Sequence, residues 1–232
     1  MNDSASFPMT RWTRVLAARG GSDEAKAALS ELCEAYYEPV HAFLIHTVAG
    51  QSSRDLTHAF FAQLLERGGL TSVEPQRGKF RSYLLGAVKH FIADQRDRDR
   101  AEKRGGGVAD LELDEVEAEL KSAAPPDSLY DREWANAVLH RAIERLTEEQ
   151  LEAGRERQFE ILKPWLNGEA QALSQADAAA TLGVSENIIR VAIHRLRKRF
   201  GENVRHEIAQ TVDTPEEISA ELNYLIEALR QG

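Results

Sequence analysis

Apolar positions recur along the chain at spacings of three and four, the period of one face of an α-helix. Between Asp23 and Val48, Ala25, Ala28, Leu29, Leu32, Tyr36, Val40, Phe43 and Leu44 form such a stripe, and Pro39 is placed to bend or split the helix. Asp55 to Arg67 continues with Leu56, Phe60 and Leu64, and Gly68-Gly69 stops it. Phe80 to Arg100 predicts a third long helix with Leu84, Val88, Phe91 and Ile92 on one side, ended by Gly105-Gly106-Gly107. From Ser128 the stripe resumes with Trp134, Val138, Ile143 and Leu146, and Phe159, Ile161, Leu162, Trp165 and Leu166 supply a second core. Pro215 opens a last amphipathic helix with Ile218, Leu222, Leu225, Ile226 and Leu229. Runs alternating with period two and rich in Val, Ile and Thr are missing, so the pattern predicts an all-α fold of two small domains and a C-terminal helix.

Residues 174–200 carry the sharpest local signal. Ser174 and Asp177 form an N-cap signature, Gln175 to Leu182 is a short helix, Gly183 supplies a turn needing positive φ, and Ser185 caps the next helix. This is the pattern of a helix-turn-helix. On the second helix Ile189, Ile193, Leu196 and Phe200 share the core face, whereas Asn187, Arg190, His194, Arg197 and Lys198 share the opposite one, flanked by Glu186 and Val191. Early residues of such a helix meet base edges and later bases meet phosphates. Asn187, Arg190, Val191 and His194 are thus candidates for base readout, and Arg195, Arg197, Lys198 and Arg199 for phosphate contact. The competing reading is a solvated basic face of a structural helix.

Charge both complicates and sharpens this picture. The 232 residues carry a net charge of −9, which speaks against a nucleic-acid partner if it is spread evenly. It is not. Residues 77–104 hold nine bases and four acids, 190–199 five bases and no acid, and 110–119 six acids and no base. The C-terminal stretch 213–230 holds five acids against Arg230. The basic stretch 77–104 is interleaved with Phe80, Tyr83, His90 and Phe91, as single-stranded DNA requires for stacking and phosphate neutralisation. An ion-paired solvated helix with Phe80 and Phe91 in the core is the equal alternative. The acidic stretch reads as a solvated spacer, with a short helix through Leu113, Val116 and Leu120 as the other reading.

Enzyme chemistry has no foothold. His206-Glu207 lacks a second zinc-ligand His, no Gly-rich phosphate loop ends in Lys-Ser/Thr, and the seven His are scattered, so neither a metal nor a cofactor is expected. The single Cys33 excludes an internal disulfide and lies on an apolar face, as a core thiol does. No apolar run approaches the ~20 residues that span a bilayer, and Met1 to Gly20 has no signal-like apolar stretch, so the expectation is a cytoplasmic protein without a membrane partner.

Taken together, the segments resemble an extracytoplasmic-function (ECF) type sigma factor of bacterial RNA polymerase, in the sigma-70 family. ALSELCEAYYEPVHAFL (28–44) is similar to the first segment of region two, RDLTHAFFAQLLE (54–66) to the polymerase-binding segment, and GKFRSYLLGAVKHFIADQRDRDR (78–100) to the promoter-melting segment and −10 reader. The helix-turn-helix resembles region four, which reads the −35 element. FPMTRW (7–12), KRGGG (103–107) and HEIAQTV (206–212) resemble a subgroup associated with planctomycete-type bacteria. The resemblance implies a region-two domain (1–106), an acidic linker (107–127), a region-four domain (128–212) and a C-terminal extension (213–232). Its implied partners are core polymerase and promoter DNA. Asp55, Phe60, Phe61 and Leu64 would meet the clamp of the largest subunit, region four would sit on the flap of the second subunit, and Phe80, Tyr83, Lys89, His90 and Arg96 would capture a −10 base. A polymerase-independent helix-turn-helix regulator is the alternative.

One departure stands out. In SSRDLTHAFF (52–61), Ser52 and Arg54 stand where the family carries acids, and His58 stands at the usual Gln. The plainer reading is that the clamp surface tolerates the change. The alternative is that phosphorylation of Thr57 (or of Ser52 or Ser53) restores negative charge and switches polymerase binding on, with a Ser/Thr kinase as partner; an anti-sigma regulator is the other candidate partner. The C-terminal helix is expected to pack on region four or to cover its DNA face as a brake.

Overall fold

The computed structural model describes residues 23–48, 53–66, 79–106, 126–166, 174–212 and 214–230. Every regular element among them is helical. In chain order they are α1 (Asp23–Ala35), α2 (Tyr37–Thr47), α3 (Ser53–Glu66), α4 (Phe80–Gly106), α5 (Pro126–Glu152), α6 (Glu156–Leu162), a 3-10 turn (Lys163–Trp165), α7 (Gln175–Leu182), α8 (Glu186–Ala209) and α9 (Pro215–Arg230). The expected all-α architecture is therefore present. The acidic linker lies almost wholly outside the described residues, as does FPMTRW.

The chain divides into two compact units, 1–137 with 209–232, and 138–208. This differs from the expected division at 107–127 and 212. The start of α5 and all of α9 belong with the first unit, where Trp134 meets Tyr36, Tyr130 meets Phe43, and Glu221 meets Arg81.

In the first unit the helical stretch over 23–48 is split in two, one of the two outcomes that Pro39 allowed. Tyr36 leaves helical geometry (φ −112°, ψ 9°), and Pro39 falls in the first turn of α2, where a missing N–H leaves nothing unpaired. The core is aromatic. Tyr36 meets Phe80 edge-on at 5.0 Å, Phe60 meets Phe91 at 5.5 Å, and Phe43 meets Tyr130 at 6.3 Å. Buried Trp134 donates its indole N–H to the Tyr36 hydroxyl at 3.0 Å, giving a polar atom in the core the partner it needs. The Phe80 N–H, one of the orphan donors of a helix start, reaches the Thr211 carbonyl at 3.0 Å.

In the second unit one apolar cluster joins α5, α6, the 3-10 turn, α7 and α8. Leu146, Phe159, Leu162, Trp165, Ala178, Ala179, Ile189, Ile193 and Leu196 form it. Ala178 and Ala179 are the share of α7 in this cluster.

Candidate nucleic-acid interface

The turn before α8 is fixed by local chemistry. Ser174 accepts from the Asp177 N–H (3.1 Å), and the Asp177 carboxylate accepts from the Ser174 N–H (3.3 Å) and hydroxyl (2.7 Å). These bonds hold the Asp177 carboxyl below its usual range. Gly183 ends α7 at φ +66°, with the Val184 N–H on the Ala179 carbonyl and the Gly183 N–H on the Ala180 carbonyl. That pair of bonds is the Schellman closure, which needs a left-handed residue. The Ser185 carbonyl then accepts from Ile188 and Ile189 to start α8.

With Ile189, Ile193 and Leu196 buried, Asn187, Arg190, Val191, His194, Arg195 and Lys198 are exposed. They follow one another at i, i+3, i+4, i+7, i+8 and i+11, a continuous stripe along one side of the helix. Among the described residues no ion pair engages Arg190, Arg195 or Lys198. Two expected phosphate contacts are occupied instead. The Arg197 guanidinium donates twice to the Trp165 carbonyl (3.2 and 3.0 Å), tying α8 to the 3-10 turn. Arg199 grips Glu149 with two bonds of 2.7 Å and Glu202 with one of 3.0 Å. These two are scaffold residues, because their planar donor forks are filled by protein acceptors. Beside the stripe lies a groove of about 600 Å³ lined by Phe159, Leu162, Ile188 and Val191, a feature that helical periodicity alone did not predict.

In the first unit α4 carries the expected promoter-melting residues. His90 and Arg96 are exposed, and Arg96 donates to the Thr47 carbonyl at 3.1 Å. Lys89 pairs with Asp127 at 2.7 Å on the surface, a contact worth little that a phosphate can displace. Tyr83 is half-buried, and burial pushes its hydroxyl up to about 12. Phe80 is a correction. It is fully buried against Tyr36, so it cannot stack on a DNA base. Its spacing with Leu84 and Val88 was the signal of a core position.

The polymerase-binding segment needs the same correction. Asp55 is exposed, but Phe60, Phe61 and Leu64 are buried on the inner side of α3 and shape the surface from beneath. Thr57 is 0% exposed; its hydroxyl donates to the Ser53 carbonyl (2.7 Å) and meets His41 Nδ1 (3.1 Å). A kinase would find no hydroxyl there on the folded unit. Ser53 is half-buried, and Ser52 lies outside the described residues.

Sequence reasoning missed Arg81. It is buried beside two acids, Glu221 (3.2 Å) and Asp131 (2.6 Å), and lies over the rings of Tyr224 (4.0 Å) and Trp134 (5.0 Å). Burial opposes its charge, but the bond to Glu221 and the charges of Glu221 and Asp131 outweigh this and hold the guanidinium more firmly protonated than usual. Among the described residues no group of three or more His, Cys, Asp or Glu is placed to hold a metal ion. Nor is any described helix long and apolar enough to cross a membrane.

A helix-turn-helix with an exposed basic stripe lies in the second unit, and the basic helix α4 lies in the first. A family model for ECF sigma factors matches residues 12–206. The chain belongs to the ECF sigma factor family. As a sigma factor it is a DNA-binding protein of transcription initiation, whose partners are core RNA polymerase and promoter DNA. Neither a curated protein nor a solved structure matches it. In this sigma factor the helix-turn-helix lies inside the second unit, and α1 to α4 lie inside the first.

Proposed function

We propose that this sigma factor directs initiation at promoters by reading two elements with its two units. The second unit places α8 in the major groove of the −35 element. Asn187, Arg190, Val191 and His194 face base edges, while Arg195 and Lys198 face phosphates. The first unit captures an unstacked −10 base, a base-flipping step in which stacking and a pocket offset an unstacking cost of a few kcal/mol. Lys89, His90 and Arg96 serve that step, with Tyr83 lining it. The Asp55 face of α3 docks on the clamp of the largest subunit, and region four docks on the flap of the second.

The exposed stripe from Asn187 to Lys198 on a helix fixed by a capped turn supports this reading most strongly. Transcription from a cognate promoter, reconstituted with purified core polymerase, tests it. The wild-type chain is expected to initiate at one position, and Arg190→Ala to lose that selectivity. Duplex binding without polymerase-dependent initiation would instead mark a polymerase-independent regulator.

A further inference from the structure

The C-terminal helix α9 belongs to the first unit. Its attachment is unusual. Only Glu221 and Leu225 of its sixteen residues are buried, while Tyr224 and Ile226 remain 38% and 40% exposed. An amphipathic helix normally docks through its apolar stripe. Here the contact is centred on a carboxylate. Glu221, 0% exposed, accepts from Arg81 Nε at 3.2 Å and from Arg81 Nη2 at 3.4 Å, and pairs with Lys79 Nζ at 2.8 Å. Tyr224 closes the site by its hydroxyl bond to Asp131.

Lys79 and Arg81 flank the first residue of α4, the basic helix of the first unit. A carboxylate held by an Arg fork and a Lys occupies the same donors that a phosphate takes, in the same geometry. A buried ion pair adds little net stability, yet parting it leaves charges that demand another partner, and control of registry or switching is the best-attested use of such pairs. A helix of sixteen residues is itself marginal once undocked. From these observations we infer that α9 is an intramolecular latch: Glu221 occupies a site on Lys79 and Arg81 that binds a phosphate of single-stranded nucleic acid when the helix is displaced. The site then offers Lys79 Nζ and the Nε and Nη2 of Arg81 beside the basic face of α4, while Arg81 Nη1 stays on Asp131. It rests on the reading that α4 meets the melted strand.

Two variants of the full protein test this, Glu221→Gln and a truncation after Val212 that keeps the Thr211 carbonyl on Phe80. The probe is a fluorescent twelve-nucleotide oligothymidylate, titrated over a range of salt. For a single strand each phosphate contact steepens the log–log salt slope by about 0.7, which is about fivefold in affinity per contact at 0.1 M salt. Both variants are expected to bind tighter than wild type, with a slope steeper by about 0.7, and Arg81→Gln in the truncated chain is expected to reverse the gain. Unchanged affinity and slope in both variants would overturn the latch. So would loss of cooperative melting on truncation, since a helix the first unit needs in order to fold cannot leave it. Promoter-specific transcription is measured in parallel. Tighter oligothymidylate binding without initiation would keep the latch and sink the promoter reading; initiation with unchanged binding would do the reverse.

Discussion

Arg199 separates what charge suggests from what packing dictates. Charge alone makes it a phosphate contact. In the structure its Nε and Nη2 hold both oxygens of Glu149 at 2.7 Å, and Nη1 holds Glu202 at 3.0 Å. The pair ties the end of α5 to α8 and so braces the helix-turn-helix. Replacing Arg199 by Ala removes three charge-assisted bonds. The Arg side chain is 46% exposed and that of Glu149 24%, so water screens the pair. Exposed pairs contribute ~0.2–1 kcal/mol, and bidentate geometry puts this one near the upper end. About 1 kcal/mol lowers the folded-to-unfolded ratio about fivefold. Amide hydrogen exchange over α7 and α8 reads this directly, because it resolves the two units where a whole-chain melt would mix them. The Glu149 carboxyl is held below its usual 4.5, chiefly by the Arg199 hydrogen bond. A depressed carboxylate pKa gives stability that is complete above the unfolded value and lost as pH falls through the folded one. The gap between wild type and Arg199→Ala should therefore be constant from pH 6 to 8 and close below about pH 4.5. Promoter affinity of the reconstituted holoenzyme should be unchanged. A drop of about eightfold at 0.1 M salt, the value of one duplex phosphate contact, with no change in exchange would refute the bracing role.

Three further outcomes follow from other sites. Gly183→Ala places a Cβ at φ +66° with nothing within 4 Å, so its cost is backbone strain alone; chemical denaturation should show a loss of about 1–2 kcal/mol in the second unit. Cys33 is buried, and burial with the nearby Glu34 charge pushes its thiol up to about 12. Alkylation at pH 8 should therefore follow unfolding of the first unit, and rapid labelling of the native chain would contradict that burial. Phe80→Ala should destabilise the first unit by about 3–5 kcal/mol, whereas His90→Ala should leave stability intact and weaken binding of the melted strand by about 1–3 kcal/mol if His90 stacks on a base.

The helix-turn-helix was legible because its determinants are local. Ser174, Asp177 and Gly183 act within one turn of themselves, and the alternation of Ile189, Ile193 and Leu196 with Arg190 and His194 has a single geometric solution. The break at Tyr36 was legible from Pro39 for the same reason. The fate of α9 was not. Arg81 and Glu221 are 140 residues apart, and each alone reads as a surface charge. Nothing in the periodicity of 215–230 says which unit receives its stripe. Phe60 and Phe80 show the other limit: their spacings with Leu64 and Leu84 marked core positions, and both are buried, while the resemblance to region two is what carried them toward a partner surface.

Counting charges along a segment also overstates how many can act. Residues 190–199 hold five bases, but Arg197 serves the Trp165 carbonyl and Arg199 serves Glu149. Arg190, Arg195 and Lys198 remain on the exposed stripe. Of these, Arg195 and Lys198 are the proposed phosphate contacts. Duplex binding by the free sigma factor should then show a log–log salt slope of about −1.8, two contacts at 0.9 each, rather than the −3.6 or so that four phosphate contacts would give. So few contacts supply little of the sequence-independent affinity that phosphate neutralisation provides, and the net charge of the whole chain is −9. The free protein should thus hold duplex DNA weakly, and its occupancy of a promoter should depend on polymerase. A slope near −3.6 in a filter-binding titration would mean that Arg197 and Arg199 abandon their protein partners on DNA, and the bracing argument for both would fall together.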